Sequence, residues 1–512
     1  MKRRRVILVV ISLILVAAVL ASVIRHYQLR AATDAYIAEL KAKGELTELA
    51  QLIPPPVPPD QNGAEAVRKA DQMFNAGHTL LSSNYFYGGM RMVAPGKAAS
   101  ATELPDLRDD YYATNSWEEV RDAVAKNAEA FALLHQIIRK PNFDTGIQYE
   151  KGVDQLQLTN LLVTKAKATA MRLGTAALSD LHERDTGSAT ENVRTMLAVA
   201  EGMRSEHLVI SELVRIGIVD IVVPDTWEIL QSPNVTDEQL AALQKDLANV
   251  EFFHSMQTAF ELERASEIVT VKKWRGGDRD FDRSLLDPPT IPWFERPELS
   301  ALDRLRLKSR LFRWRYWWSY PDEIRQLKGD ELILNAYRAA QTNDALLPIQ
   351  QNLETNIAKF PTPTNREDYY WFSNAMNVDL HFTLSESIPV SARTFSRVMT
   401  KEMEKRMVIT AIALKRYQLK HGKYPVALDA LVPEFLPAIP RDLDGKSLRY
   451  RRNADGSFTL YSIGEDGKDD GGDPTPPEAH KKSLWWLMGR DWVWPQRATA
   501  EEIQKFYSNQ PK

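Results

Sequence analysis

Residues 2–26 read KRRRVILVVISLILVAAVLASVIRH, and this stretch gives the strongest signal in the sequence. The run 6–24 contains nineteen residues without a charge, which as a helix rising about 1.5 Å per residue would be roughly 28 Å long. That length matches the hydrocarbon thickness of a bilayer. The sequence therefore predicts one transmembrane helix that binds the lipid bilayer through residues 6–24.

The basic residues 2–5 predict the orientation of this helix. Lysine and arginine next to a membrane helix stay on the cytoplasmic side, so in a bacterium the N-terminus would be cytoplasmic and the bulk of the chain would lie outside the inner membrane. A cleaved signal peptide is the alternative, because Val19 and Ala21 occupy the small-residue positions of a signal-peptidase site. The apolar run is long for a signal peptide, which favours a retained, single-pass signal-anchor.

The composition excludes several functional classes. The 512 residues include 65 lysines and arginines against 68 aspartates and glutamates, so the whole-chain charge gives no basis for a nucleic-acid partner. A hydrophobic share of 44% with 26% charged residues is typical of folded globular protein and excludes wholesale disorder. The absence of cysteine excludes disulfides, thiolate zinc sites, iron–sulfur clusters and cysteine nucleophiles.

Beyond the cytoplasmic tip and anchor, 1–25, the chain divides into four further parts. Residues 26–61 predict a stalk helix and a proline-rich linker, because PPPVPP at 54–59 cannot continue a helix. Residues 62–390 predict a mainly helical extracytoplasmic domain of antiparallel helical hairpins. Three capping boxes mark helix starts there: Ser116 with Glu119, Ser188 with Glu191, and Thr236 with Gln239. The stretch 76–115 shows no sustained period and predicts loop.

The segment 391–478 changes character from helix to strands and turns. A helix is expected from about Ser391 to Leu419, ended by Gly422, and residues 421–436 read HGKYPVALDALVPEFL. Residues 448–452 and 458–462 alternate in polarity around the turn 453–456, which predicts a β-hairpin. The overall fold class is therefore mainly α, with a small C-terminal α+β module and a Trp-rich tail at 479–512.

This module resembles the C-terminal part of the major pseudopilin of type II secretion, which has a helix, a Gly-x-Tyr-Pro turn, a Leu-Val-Pro element, a small antiparallel sheet and a calcium loop. The matching residues here are Gly422 to Pro425 and Leu431 to Pro433. The resemblance implies a pseudopilin-like fold and partners among envelope or secretion proteins. A pseudopilin carries its polymerisation helix directly before the module, whereas here the apolar helix lies far upstream, so a fibre is not implied. The whole chain resembles a broad group of bacterial membrane-anchored proteins with such a tail.

The loop after the hairpin is the best candidate for a ligand site. Its carboxylates, interleaved with glycines, are Glu465, Asp466, Asp469, Asp470 and Asp473. Calcium prefers six to eight oxygen ligands on a turn that can wrap the ion. The spacing is not that of an EF-hand, and by itself it fits a solvated turn equally well. The resemblance to the pseudopilin loop implies calcium as the cofactor.

Two aromatic-rich stretches allow more than one interpretation. In 304–318, Leu307, Leu311, Trp314 and Trp318 form a stripe that predicts packing, while the neighbouring arginines leave an anionic glycan or a membrane surface as alternatives. Four tryptophans of the tail either pack it against the body or stack on sugars: Trp485, Trp486, Trp492 and Trp494.

Isolated polar residues give weaker signals. Glu251 and His254 lack the second Glu-x-x-His pair that a di-iron site needs. The charged cluster 182–185 predicts a solvated turn. Asp109 with Asp110 could serve a glycosidase, which uses a pair of carboxylates. We found no phosphate loop, dinucleotide fingerprint, His-Glu-x-x-His or Gly-x-Ser-x-Gly sequence. The sequence favours a membrane-anchored extracytoplasmic binding or scaffold protein of the cell envelope, linked to secretion. An envelope hydrolase acting on glycans is the alternative, so whether the protein is an enzyme stays open.

Overall fold

The structure, a computed structural model, describes residues 2–82, 88–108, 114–140, 142–151, 162–278, 300–360, 384–480 and 483–508. The fold is mainly α, as the sequence predicts, with one apolar N-terminal helix and a few short strands. The helices of the first half are α1 (Lys2–Ala42), α2 (Ala64–Ala76), α3 (Trp117–Lys126), α4 (Ala128–His135), α5 (Val163–His182), α6 (Thr186–Arg204) and α7 (Val209–Gln231). Those of the second half are α8 (Asp237–Ala248), α9 (Phe253–Arg275), α10 (Ala301–Arg313), α11 (Ser319–Thr342), α12 (Leu347–Ala358), α13 (Ile388–His421) and α14 (Ala500–Ser508).

Helix α1 is continuous over 41 residues and has two different environments. The valine, isoleucine and leucine side chains between 6 and 24 are 46% to 63% exposed, so the rest of the protein does not cover them. Further along the same helix, Thr33 and Leu40 are buried, and Thr33 Oγ1 donates to Tyr320 O at 3.3 Å on α11. Within the described chain, α1 is the helix long and apolar enough to cross a membrane.

The helical body is built from pairs of helices joined by short turns. Helices α5 and α6 pack together across the three-residue turn 183–185, and α7 packs on both. The predicted capping boxes of Ser116 and Thr236 are confirmed at the starts of α3 and α8. The one predicted at Ser188 is wrong, because α6 begins two residues earlier and Asp185 caps it by accepting from Ser188 N at 3.0 Å.

The stretch 76–115, predicted as loop, contains short strands instead. Strands β1 (Arg91–Ala94) and β2 (Lys97–Ala99) are antiparallel, and β3 (Asp106–Arg108) pairs with β4 (Thr114–Ser116). Strand β2 also pairs in parallel with β8 (Gln496–Arg497) near the C-terminus. Strands of three or four residues carry too little alternation to be recognised in a sequence.

The C-terminal segment has the predicted helix and hairpin. Helix α13 ends at His421, followed by Gly422 with φ +71°. Strands β5 (Arg449–Arg452) and β6 (Phe458–Ser462) form the antiparallel hairpin, and β7 (Trp492–Val493) adds to β6. The module and the body share one continuous hydrophobic core.

The tail is packed against the body, as one interpretation of its tryptophans predicts. Trp486, Trp492 and Trp494 are buried in the common core. Trp227, fully buried on α7, donates its Nε1 hydrogen to Pro495 O at 2.8 Å. The C-terminal strands are therefore fixed to the centre of the helical body.

Candidate functional site

The acidic loop 464–473 follows strand β6, and two buried aspartates, Asp442 and Asp491, accept hydrogen bonds from the backbone at its two ends. Asp442 accepts hydrogen bonds from Leu443 N at 2.7 Å and Ile463 N at 3.1 Å, and it also pairs with Arg449. Asp491 accepts from Gly472 N at 2.6 Å and from Asp473 N at 3.2 Å. Burial raises the pKa of both Asp442 and Asp491. Both are part of the frame of the loop, and the sequence reasoning missed them because neither belongs to the acidic run.

Glycines give this loop its shape. Gly464, Gly467, Gly471 and Gly472 all have φ between 68° and 82°, a conformation that other residues adopt only with strain. A Cβ on Gly464 would lie 2.9 Å from Arg490 O, so this position has no room for a side chain. The loop therefore needs its glycines whether or not it binds an ion.

Asp469 and Asp473 already have partners in this loop. Asp469 Oδ1 accepts from Gly471 N and from Tyr461 OH, both at 3.1 Å, while its Oδ2 lies 3.5 Å from Arg449 Nε. Asp473 Oδ1 accepts from Thr475 N at 2.9 Å, and its Oδ2 lies 3.7 Å from Arg490. The hydrogen bonds from Gly471 and Thr475 lower the pKa of Asp469 and Asp473 respectively, so both are ionised at neutral pH.

Of the other three predicted carboxylates, two accept hydrogen bonds from separate partners and the third is exposed to solvent. Glu465 Oε1 accepts from Ser396 Oγ of α13 at 3.3 Å, and Asp466 Oδ1 accepts from Lys468 N at 3.0 Å, closing a local turn. Asp470 is exposed. Among the residues that the structure describes, no three His, Asp or Glu side chains are grouped to hold a metal ion. An ion would have to combine separate carboxylates with loop carbonyls, so calcium binding stays a prediction.

A second group of carboxylates lies between helices α9 and α11. Glu263 Oε1 accepts from Val209 N at 3.0 Å, and burial raises the pKa of this carboxyl to about 7. Burial likewise raises the pKa of Asp330 to about 7, and Asp330 Oδ1 accepts from Gln326 at 3.1 Å. Burial and the neighbouring Asp330 and Glu323 raise the pKa of Glu267 well above its usual range. On sequence alone these acids look like the solvated face of a helix.

Cations next to this acidic group connect it to the end of the stalk. The buried Arg264 lies 2.8 Å from Glu45, and Arg338 reaches both oxygens of Glu45 at 2.6 and 2.8 Å. Arg338 also donates to Glu261 at 3.0 Å. Glu45 follows α1 by three residues, so these ion pairs fasten the C-terminal end of α1 to the body.

A third group of carboxylates, Glu228 and Asp225 on α7, holds the strand segment β1–β2 against the helical body. Glu228 on α7 accepts from Met90 N and Ala101 N, each at 2.7 Å, and from Ser100 Oγ at 2.5 Å. Its neighbour Asp225 accepts from Gly89 N at 3.4 Å. These carboxylates bind the strand segment β1–β2 to the helical body. A buried carboxylate with this many donors is structural.

The remaining candidates from the sequence are separated from these groups. Exposed His182 stacks on Trp117 at 4.2 Å, and Asp185 is the cap of α6. Glu251 lies 4.0 Å from Arg204 and is not joined to His254 by any hydrogen bond in the described chain. Asp109 and Asp110 lie outside the described residues.

The aromatic stripe of 304–318 packs as predicted at the positions whose side chains the structure describes. Leu311 and Trp314 are buried against Val271, with Trp318 packed beside them. The side chain of Leu307 lies outside the described part.

The chain matches no protein-family model, no curated protein and no solved structure. Its function is therefore argued from its own contacts. Two features carry that argument: the exposed apolar half of α1, and the glycine-rich acidic loop fixed on a rigid body.

We expect calcium to stabilise the full chain by ordering the acidic loop. At a tenfold excess over its Kd, a ligand that binds only the folded state adds about 1.4 kcal/mol. Thermal unfolding in detergent should therefore shift upward by about 1 to 2 °C with calcium and less with magnesium, since magnesium demands a stricter geometry. Asp469→Asn with Asp473→Asn should abolish the shift, whereas Asp455→Asn in the hairpin turn should keep it. An unchanged melting temperature in millimolar calcium would refute calcium binding.

We expect Glu263→Gln to stabilise the protein at alkaline pH but not at pH 5. The folded pKa of about 7 lies above the usual 4.5, so Glu263 favours folding fully below 4.5 and loses that contribution as pH rises through 7. A rise in pKa from 4.5 to about 7 corresponds to at most about 3 kcal/mol at pH 8, and because the side chain of Glu263 is only partly covered we expect a gain of about 1 to 3 kcal/mol.

Urea unfolding of the full chain in detergent, followed by tryptophan fluorescence at both pH values, measures this difference. Glu354→Gln, on the exposed face of α12, is the matched control and should change neither midpoint. Equal effects of Glu263→Gln at both pH values would show that the carboxyl is not held in its neutral form.

Proposed function

We propose that the protein is a membrane-anchored, extracytoplasmic binding or scaffold component of the cell envelope, linked to secretion. In this proposal α1 crosses the inner membrane once, the N-terminus is cytoplasmic, and the body stands on the outer side. The observation that carries the proposal is the contrast along α1, from exposed apolar side chains to buried stalk residues.

The energetic argument concerns the uncovered part of α1. Between residues 6 and 24, fourteen valine, isoleucine and leucine side chains are exposed. Removing one such side chain from water is worth about 1.5 to 3 kcal/mol, so leaving all of them in water would cost roughly 20 to 40 kcal/mol, more than a domain's usual stability margin of about 5 to 15 kcal/mol. A bilayer supplies the missing apolar surroundings. The four basic residues before the run support the cytoplasmic orientation.

The contacts that join the module and the stalk to the body support a scaffold role. The pseudopilin-like module is joined to the helices through the core, through the β2–β8 pairing and through the hydrogen bond from Trp227 to Pro495. The stalk is joined to the same body through Glu45. The module is consequently held at a fixed height above the anchor, which suits a protein that presents a binding surface.

We propose that a partner contacts the module around Val426, the most exposed of its large apolar side chains. Val426 is 74% exposed, directly after the Tyr-Pro turn that carries the pseudopilin resemblance. A partner that binds the module would cover this valine. We propose that the partners are envelope or secretion proteins and that a calcium ion in the acidic loop stabilises this end of the molecule.

Photo-crosslinking in intact cells tests the proposal. A photoreactive amino acid at Val426 should form an adduct with a component of the secretion machinery upon illumination. The same residue at Glu354, exposed on α12, should not form that adduct. If secretion components are absent from the Val426 adducts, or equally abundant at both positions, the proposed partnership is wrong.

A further inference from the structure

Helix α10 has an apolar stripe on its exposed side. Leu302, Leu305 and Phe312 are 54%, 65% and 52% exposed, and Tyr316 in the following π-helical turn Trp314–Trp318 is 42% exposed. Spacings of three, seven and four residues place these side chains on one side of the helix. The opposite side is already used, because Leu311 and Trp314 are buried against the end of α9. The exposed stripe is therefore additional to the packing face.

Basic residues surround this stripe. Residues 301–318 contain five arginines and one lysine against a single aspartate. A shallow open groove on the helix surface is lined by Leu305, Arg306, Ser309, Arg310 and Arg313. Apolar side chains bordered by arginines are typical of helices that lie in the interface of an anionic bilayer. The same density of charge excludes a second membrane-spanning helix.

The position of this segment relative to α1 indicates which surface it meets. Trp317 Nε1 donates to Ser22 O at 3.3 Å, and His26 Nδ1 donates to Tyr316 O at 3.0 Å. The His26 ring lies 5.3 Å from the ring of Tyr316. Ser22 and His26 bracket the end of the apolar run at residue 24. The aromatic turn is thus level with the C-terminal end of the apolar run of α1.

The end of α9 adds to the same surface. Its last turn contains Lys272, Lys273 and Arg275, and the ring of Trp274 lies 6.4 Å from that of Trp314. Arg275 is instead used inside the body, where it lies 4.0 Å above the ring of Tyr320 and pairs with Glu323 at 2.6 Å. Tryptophan, tyrosine and basic side chains concentrate at the level of lipid headgroups. The exposed Lys272 and the half-buried Trp274 therefore fit a membrane-facing surface at the end of α9.

We propose that α10 and its π-helical turn lie on the outer leaflet of the bilayer that α1 crosses. The exposed stripe enters the boundary between headgroups and acyl chains, and the net positive charge of residues 301–318 attracts anionic phospholipids. This inference rests on the proposed anchoring by α1. It gives the body two attachments to the membrane, so that the module is held in one orientation and does not swing on a single helix.

Spin labelling tests this placement, and the absence of cysteine from the chain makes it straightforward. Leu305→Cys and Phe312→Cys each introduce one attachment point for a nitroxide on the full chain in nanodiscs of phosphatidylcholine and phosphatidylglycerol. Power saturation then compares collisions with oxygen, which concentrates in lipid, and with a nickel chelate, which stays in water. Leu13→Cys in the anchor and Val426→Cys on the module are the reference positions.

We expect labels at 305 and 312 to resemble Leu13→Cys, with oxygen collisions severalfold above those at Val426→Cys and nickel collisions severalfold below. If 305 and 312 collide mainly with nickel while 13 collides with oxygen, the interfacial placement is wrong and the anchoring stands. If position 13 also collides mainly with nickel, the anchoring and this inference both fail. Labels at 305 and 312 shielded from both reagents would indicate a protein partner and overturn the inference.

The lipid charge is tested by repeating the measurement in nanodiscs of phosphatidylcholine alone. Removing phosphatidylglycerol should lower the oxygen-to-nickel ratio at Phe312→Cys severalfold and leave it unchanged at Leu13→Cys. Equal ratios at Phe312→Cys in both lipid compositions would refute recognition of anionic headgroups.

Discussion

The position of the whole protein depends on helix α1, whose two halves require different surroundings. The first half of α1 exposes a continuous apolar surface that the protein does not cover, and the second half is packed against α11. Because the helix is unbroken from Lys2 to Ala42, the direction of the apolar half is set by the packing of the other half. Any membrane that accepts residues 6–24 is consequently positioned relative to the body, and so is every surface of the body relative to the membrane.

The body that holds this helix contains buried charged residues on several of its helices. Arg215 is fully buried and donates to Glu212 and Glu201, both at 2.5 Å, and to Ser255 at 2.8 Å. These contacts connect α7 to α6 and α9. Breaking a buried pair by removing one partner typically costs about 3 to 5 kcal/mol, so such networks fix helix positions strongly even where they add little net stability. A rigid body of this kind suits the presentation of a module at a constant distance from the membrane.

The sequence predicted the features whose causes are local. The apolar run of α1, the capping boxes of Ser116 and Thr236 and the hairpin of β5 and β6 each follow from residues close together in the chain. Features that depend on contacts between residues distant in the chain could not be predicted from the sequence. The pairing of Lys97 with Gln496 cannot be inferred from either strand, and the acids near Glu263 look solvated until α9 meets α11. The acidic loop was recognised, but Arg449 and Arg490 beside its aspartates were not.

The central claim is that α1 stays in the membrane with the body on the outer side. Alkaline phosphatase fused after Lys512 folds to an active enzyme only outside the cytoplasm, so its activity in carbonate-washed bacterial membranes tests anchoring and orientation together. We expect an active enzyme that remains in the membrane pellet. An inactive fusion in the pellet would place the body in the cytoplasm, and activity released into the supernatant would mean that α1 does not hold the protein in lipid.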